Sequence, residues 1–318
     1  MAALKAGISV PPIDDARHNL NVIQQLDAAG VDTVWQTAGG VWPDSLTLMS
    51  AAAAVTERIR FGTSIVPTYT RHPTVLANQA KVVDSIAPGR LRLGIGPSHR
   101  PSIEDRLGIP MGKPLSHLRE YVTVLRSLLC DGGARFAGDY LRVDLPAPDH
   151  HRPVEIEVMV SALSVNAFRL AGEIADGAIS WVAPVRYLVD TALPAVQRSA
   201  ADAGREAPPI IAHVPVAVTT DRDRALEAST RMFGRYGALP FYAKMFEAAG
   251  VPPENNRTSA AAIDTLTVSG NSAEIRARLE AIVAEGLGEV LVSHVVVDDE
   301  ATELRELTTI LAGQPVTD

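Results

Sequence analysis

Among 318 residues there is one cysteine, and lysine is nearly as scarce: Lys5, Lys81, Lys113 and Lys244 are the only ones among 29 basic residues. A single thiol excludes an internal disulfide framework and any cysteine-rich metal site. Cys130 ends the apolar run VLRSLLC and is expected to be a core thiol in a reducing compartment. No uncharged apolar stretch reaches the roughly 20 residues that span a bilayer. No basic-then-apolar leader opens the chain either, so a cytoplasmic protein with no membrane partner is expected. An excess of positive charge is also missing. The net charge of −8 and pI of ≈ 5.5 argue against nucleic acid as the main partner.

What is present is an alternation of short β-branched runs with longer helical segments. AGISV, TVWQT, RIRFGTSIV and LRLGIG read as the first four strands, and EIEVMVSA, GAISWVA, PIIAHVPVAVT and EVLVSHVVV as the last four. A helical pattern follows each, with Asp44 or Ser45 capping the second helix and another helix starting near Pro73. A hairpin is expected over 135–143, a Pro-broken loop between Pro97 and Pro114, and an irregular insertion over 234–266. The strands are apolar on both faces, as parallel strands covered by helices must be. This order predicts an α/β fold: one (β/α)8 TIM barrel domain over 1–318, with insertions after strands four and seven. A Rossmann domain would need a GxGxxG leading straight into a helix, and Pro97 and Pro101 in LGIGPSHRP break that helix.

In such a barrel the chemistry sits at the C-terminal ends of the strands. Those ends carry Gln36, Thr37, Ser64, Ile65, Gly96 to Arg100, Ser161 to Ser164, Trp181, His213, Ser293 and His294. Carboxylates are absent from them, which excludes the paired acids of a glycosidase and the ligand cluster of a metal hydrolase. His150-His151 falls in a proline-rich loop without a partner at ligand spacing, so no metal is expected. No GxSxG elbow is present. A mouth this poor in acids and bases suits chemistry carried by a bound cofactor.

The stretch RIRFGTSIVPTYTRHPTVLANQAKVVDSIAPGRLRLGIGPSH, with LREYVTVLRSLL and VSALSVNAFRLAGEIADGAISWVAP after it, resembles the luciferase-like superfamily of flavin and deazaflavin enzymes. Within it the chain is similar to the coenzyme F420 branch that includes methylenetetrahydromethanopterin reductase, over roughly residues 5 to 300. The resemblance implies a coenzyme F420-dependent oxidoreductase that passes a hydride between the deazaflavin and a small organic molecule, in a homodimer. It also implies a non-prolyl cis peptide at Ser64–Ile65, where Ile65 and Val66 would back the flat ring. Ser161, Ala162, Leu163 and Ser164 would meet the cofactor phosphate at a helix N-terminus, although relatives carry Gly-Pro where this chain has Ser164-Val165.

By the same resemblance Gln36, Thr37, Gly96, Ser98 and Trp181 join the cofactor site. A basic rim would come from Arg71, His72, His99, Arg100 and Arg106. Trp42, Tyr69, Trp181 and the insertion over 234–266 would shape the substrate pocket. Relatives place an acid or histidine after strand two, where this chain has Gln36-Thr37, so His99 and then His213 are the proton-transfer candidates. Two alternatives stay open: an FMN-dependent monooxygenase, and a non-catalytic flavin-binding member of the family.

Overall fold

The computed structural model describes residues 4–313. In chain order its strands are β1 (Ala6–Ser9), β2 (Thr33–Gln36), β3 (Arg60–Thr63), β4 (Val66–Pro67), β5 (Leu91–Gly96), β6 (Ala134–Ala137), β7 (Arg142–Leu145), β8 (Glu157–Ser161), β9 (Gly177–Ser180), β10 (Ile210–Ala217), β11 (Val268–Ser269) and β12 (Glu289–His294). Eight of them close a ring in the order β1, β2, β3, β5, β8, β9, β10, β12 and back to β1. Every pairing in the ring is parallel, so the fold is a (β/α)8 TIM barrel. The antiparallel hairpin β6–β7 lies outside it.

The surrounding helices are α1 (Ala16–Ala29), α2 (Ser45–Ala53), α3 (Pro73–Ile86), α4 (Pro114–Cys130), α5 (Val165–Ile174), α6 (Val185–Tyr187), α7 (Leu193–Asp202), α8 (Arg222–Phe233), α9 (Pro240–Ala248), α10 (Ala260–Leu266), α11 (Ser272–Ala284) and α12 (Glu300–Ala312). Their starts follow local chemistry. Asp15, Asp44, Ser164, Asp221, Asn271 and Asp299 each accept a hydrogen bond from a first-turn N–H group, which satisfies a donor the helix itself leaves free. Asn271 and Glu274 complete a capping box.

The barrel interior is filled by one large ring. Trp35 packs with Met159, Ile179, Ile211 and Leu291. Room for it comes from Gly62, where a Cβ would fall 2.2 Å from the indole, and Gly7, where it would fall 2.5 Å away. Below the indole, the Arg92 guanidinium sits 5.0 Å from the ring centroid. It is held by Glu157 and Glu289, both at 2.7 Å. This ion-paired plug sits at the N-terminal ends of the strands: Arg92 is the second residue of β5, and Glu157 and Glu289 are the first residues of β8 and β12.

Three expectations are corrected. RIRFGTSIV is broken into β3 and β4 by the peptide between Ser64 and Ile65. The insertion over 234–266 is largely helical, holding a short 3-10 turn at Tyr236–Ala238 and then α9 and α10. Cys130 is exposed. The buried face of α4 carries Leu118, Tyr121, Val122, Leu125, Leu128 and Leu129, and one further residue, at about 100° per step, rotates off that face.

Candidate functional site

The site begins where β3 ends. The Ser64–Ile65 peptide is cis, as the resemblance implied. The bond is clamped from both sides. Ser64 N–H donates to Gln36 O at 2.8 Å and Ala38 N–H to Ile65 O at 3.3 Å. On the β5 side Thr63 Oγ1 donates to Gly94 O at 2.8 Å and Thr68 N–H to Gly96 O at 2.9 Å. The backbone is thereby held as a fixed bulge at the barrel mouth. Ser64 and Ile65 line a cavity of ≈ 760 Å³ there, a volume typical of small-molecule and cofactor sites. Ser64 Oγ is buried without a hydrogen-bond partner.

Beside the bulge, Gly96 is required by close approach. A Cβ there would lie 2.1 Å from Ser161 Oγ and 3.3 Å from Ile65 Cδ1. A side chain at this position would therefore displace both from the cavity wall. Beyond Ser161 the chain runs through Ala162 and Leu163 into α5, where Ser164 Oγ accepts from Ala167 N–H at 3.3 Å. The N–H groups of Leu163, Ser164 and Val165 have no acceptor among the described residues. All three residues line the cavity, so the positive end of a ten-residue helix faces it.

The far wall comes from the insertion. Phe241, Tyr242, Lys244, Met245 and Ala248 of α9 line the cavity, at spacings that place them on one helix face. An aromatic chain ties this wall to the barrel. Trp181 Nε1–H donates to Tyr236 OH at 2.9 Å, and the Tyr236 and Tyr242 rings meet edge to face at 4.7 Å. Trp181 stacks on His213 with ring centroids 3.8 Å apart. His213 is 1 % exposed. Its Nδ1 accepts from Val182 N–H at 3.1 Å, and its Nε2–H then donates to Ser293 Oγ at 2.8 Å. Burial pushes its pKa down to about 3, so the ring is neutral at ordinary pH.

Ten of the residues singled out in the sequence meet on this wall. Thr37, Ser64, Ile65, Ser98 and His99 stand on one side, and Ser161, Ala162, Leu163, Ser164 and Trp181 on the other. Four do not face the cavity. Trp35 points into the barrel, so the next residue, Gln36, points outward under the helices. There it is 0 % exposed, with neither amide atom bonded. Val66 is buried in the layer between barrel and helices. Gly96 acts only by the space it leaves. His213 lies behind Trp181 with both ring nitrogens engaged and does not line the cavity.

Of the expected basic rim, only His99 lines the cavity. Arg71 pairs with Asp44 and Arg100 with Glu104. Arg106 is not part of the wall, and His72 caps α3 through Nδ1. The cations that line the cavity are Lys113 and Lys244, and neither has an ion-pair partner among the described residues. Trp42 is 54 % exposed, outside the cavity. Tyr69 stacks on His117 at 4.0 Å and donates its hydroxyl to Met111 O. The scarcity of lysine was a usable signal: two of four fall on the wall.

No Asp or Glu lines the cavity. Among the described residues no group of His, Cys, Asp and Glu could hold a metal ion, and no helix is long and apolar enough to cross a membrane.

The chain was compared with known proteins. It is 33% identical over 219 residues to the F420-dependent glucose-6-phosphate dehydrogenase of Nakamurella multipartita, covering 65% of this chain and 62% of that protein. It is 23% identical over 352 aligned positions to the 5,10-methylenetetrahydromethanopterin reductase of Methanopyrus kandleri, covering 99% and 98%. A solved F420-dependent secondary alcohol dehydrogenase, in complex with an F420-acetone adduct, superposes with a TM-score of 0.80 at 18% identity, covering 97% of this chain and 98% of that one. The family model described as luciferase-like monooxygenase matches residues 2–289, and the chain belongs to that family.

Proposed function

We propose that the protein is an oxidoreductase that uses coenzyme F420 to move a hydride to or from a small organic molecule. The observation that carries this reading is the cis bulge at Ser64–Ile65 facing the free N–H groups before α5 across one cavity. The first offers a flat apolar wall to a ring. The second offers a positive helix end with three free N–H groups to a phosphate. The residues present fit such a group. Ser64 Oγ is an orphaned buried hydroxyl beside the wall, Gly96 leaves the space that Ser161 occupies, and Lys113 and Lys244 suit an anionic tail. The F420-dependent relatives support the choice of deazaflavin.

Bound there, the deazaflavin would supply the hydride chemistry. The chain's own part is to hold the ring against Ile65, to exclude water with the α9 wall, and to manage a proton. His99 is the histidine that lines the cavity. Burial holds its pKa below the usual imidazole range, so it is neutral near pH 7 and available as a base. Of the pair after strand two, Thr37 lines the cavity and Gln36 does not.

The homodimer expected from the resemblance is carried forward as part of the proposal. Val75, Val82 and Ile86 form one exposed stripe of α3, and a second copy would cover it.

Fluorescence titration of the purified protein with F420 and with FMN, in the same buffer, tests the cofactor reading. Tighter binding of F420 is expected. A preference for FMN would favour a monooxygenase, and no binding of either would overturn the site as drawn.

A further inference from the structure

The α9 wall carries a polar pair that the cofactor reading leaves unused. Tyr242 is 3 % exposed and lines the cavity. Its hydroxyl makes no hydrogen bond to any described residue, yet it is not among the sealed polar atoms, so it opens on the cavity. His99 approaches from the loop after β5, its ring centroid 5.4 Å from that of Tyr242 and tilted by 44°. Neither ring nitrogen of His99 is hydrogen-bonded within the described residues, and Nδ1 is fully enclosed. Buried polar groups in native folds are nearly always satisfied, so an open pair of this kind calls for a ligand or solvent partner. Around the pair the wall is mostly apolar: Phe241, Met245 and Ala248 flank Tyr242 on the same helix, and the one charged residue of that helix on the cavity, Lys244, is the group already assigned to the cofactor's anionic tail.

Resting on the oxidoreductase reading, we infer that Tyr242 and His99 together receive the oxygen of an uncharged alcohol, or of its carbonyl counterpart, whose apolar body lies against α9. Chemistry selects this class. A phenol hydroxyl both gives and accepts a hydrogen bond, and a neutral imidazole offers one donor and one acceptor nitrogen. An alcohol oxygen accepts from the phenol and donates to the free imidazole nitrogen. A carbonyl oxygen accepts from the phenol. A carboxylate or an ammonium would find no opposite charge on these two groups. Burial raises the Tyr242 pKa well above the ordinary phenol value, so the hydroxyl keeps its proton as a donor. In the oxidative direction the alcohol O–H proton passes to the imidazole nitrogen. With F420 held at the wall, the deazaflavin would accept the hydride as the carbinol C–H bond breaks and C=O forms. The reductive direction reverses each transfer.

The test uses the full chain and two matched probes, 1-phenylethanol and ethylbenzene, which differ by the hydroxyl. Dissociation constants are measured with and without F420, and 15N-histidine spectra are recorded, with the His99 signal assigned by its loss in His99→Asn. Tyr242→Phe removes a hydroxyl that no protein group uses, so the fold and F420 affinity should be retained, checked by thermal melting and titration. Expected are roughly tenfold weaker binding of 1-phenylethanol in Tyr242→Phe, unchanged ethylbenzene binding, and a shift of the His99 signal with the alcohol alone. The proposal is overturned if 1-phenylethanol binds wild type no better than ethylbenzene, or if Tyr242→Phe binds both as wild type does. Failure of F420 to bind would sink the cofactor reading separately, because the probe comparison is also made without cofactor.

Discussion

His213 gives a stability prediction whose sign and size follow from its surroundings. It is enclosed between the indole of Trp181 and the edge of Phe233, and burial brings its pKa from 6.5 to about 3. In the unfolded chain it titrates near its ordinary value, so below that pH the unfolded state binds a proton the native state refuses. The contribution is therefore fully present above pH 6.5 and is lost as pH falls toward 3. Between pH 7.5 and pH 5 the loss amounts to about 2 kcal/mol for this one residue. His213→Phe removes the titration, but leaves Val182 N–H and Ser293 Oγ–H or its lone pair without a partner. That should cost about 1–3 kcal/mol at pH 7.5. Urea melts of both proteins at pH 7.5, 6 and 5 should thus show a gap that narrows on acidification, by about 2 kcal/mol over the full range. A gap that stays constant, or widens toward pH 5, would refute the buried neutral imidazole.

Other measurements bear on other links. Gly94→Ala places a Cβ 1.9 Å from Thr63 O, a backbone atom that cannot rotate away, so it should lower stability by at least about 1–3 kcal/mol in urea melts. Gly96→Ala meets the rotatable Ser161 hydroxyl first and should keep the fold while weakening F420 binding several-fold in the fluorescence titration. Lys113→Gln with Lys244→Gln should weaken F420 binding at low salt and flatten its dependence on ionic strength; an unchanged salt slope would remove these lysines from the anion site. Val82→Asp should shift the light-scattering mass from dimer to monomer without loss of the melting transition, if the α3 stripe pairs two copies.

The barrel was legible because its determinants are local and repeated. Eight apolar runs, each followed by a helical segment, leave few ways to bury both faces of a parallel sheet. The break inside RIRFGTSIV was legible only through the resemblance. Composition reads Thr63, Ser64 and Ile65 as ordinary strand residues, and the cis geometry at Ser64–Ile65 is set by hydrogen bonds from β2 and β5, which come from elsewhere in the chain. Cys130 was misread because an apolar run does not reveal the rotation of its last residue. The arginine rim failed for a related physical reason: a cation near the mouth is free to bind an anion only if no carboxylate reaches it first. Asp44 and Glu104 do reach Arg71 and Arg100, through contacts that the tertiary fold and an i, i+4 turn respectively supply.

The α9 wall shows where strand-end reasoning stops. Reading function from the C-terminal ends of barrel strands finds Ser64, Ser161 and Trp181, because the barrel itself fixes where those residues point. It cannot find Tyr242, which lies 25 positions past the end of β10 in a segment with no period-2 signal. Yet the contacts that aim this segment start at a strand end. Ser293 and Val182 hold His213, His213 supports Trp181, Trp181 bonds Tyr236, and Tyr236 meets Tyr242 edge to face. Each link is short and directional, and every ring in it is at least half-buried. The insertion thus inherits its position from the barrel through side chains rather than through backbone pairing. Substitutions in α9 would then change the far wall of the cavity while leaving the bulge and the α5 N-terminus in place.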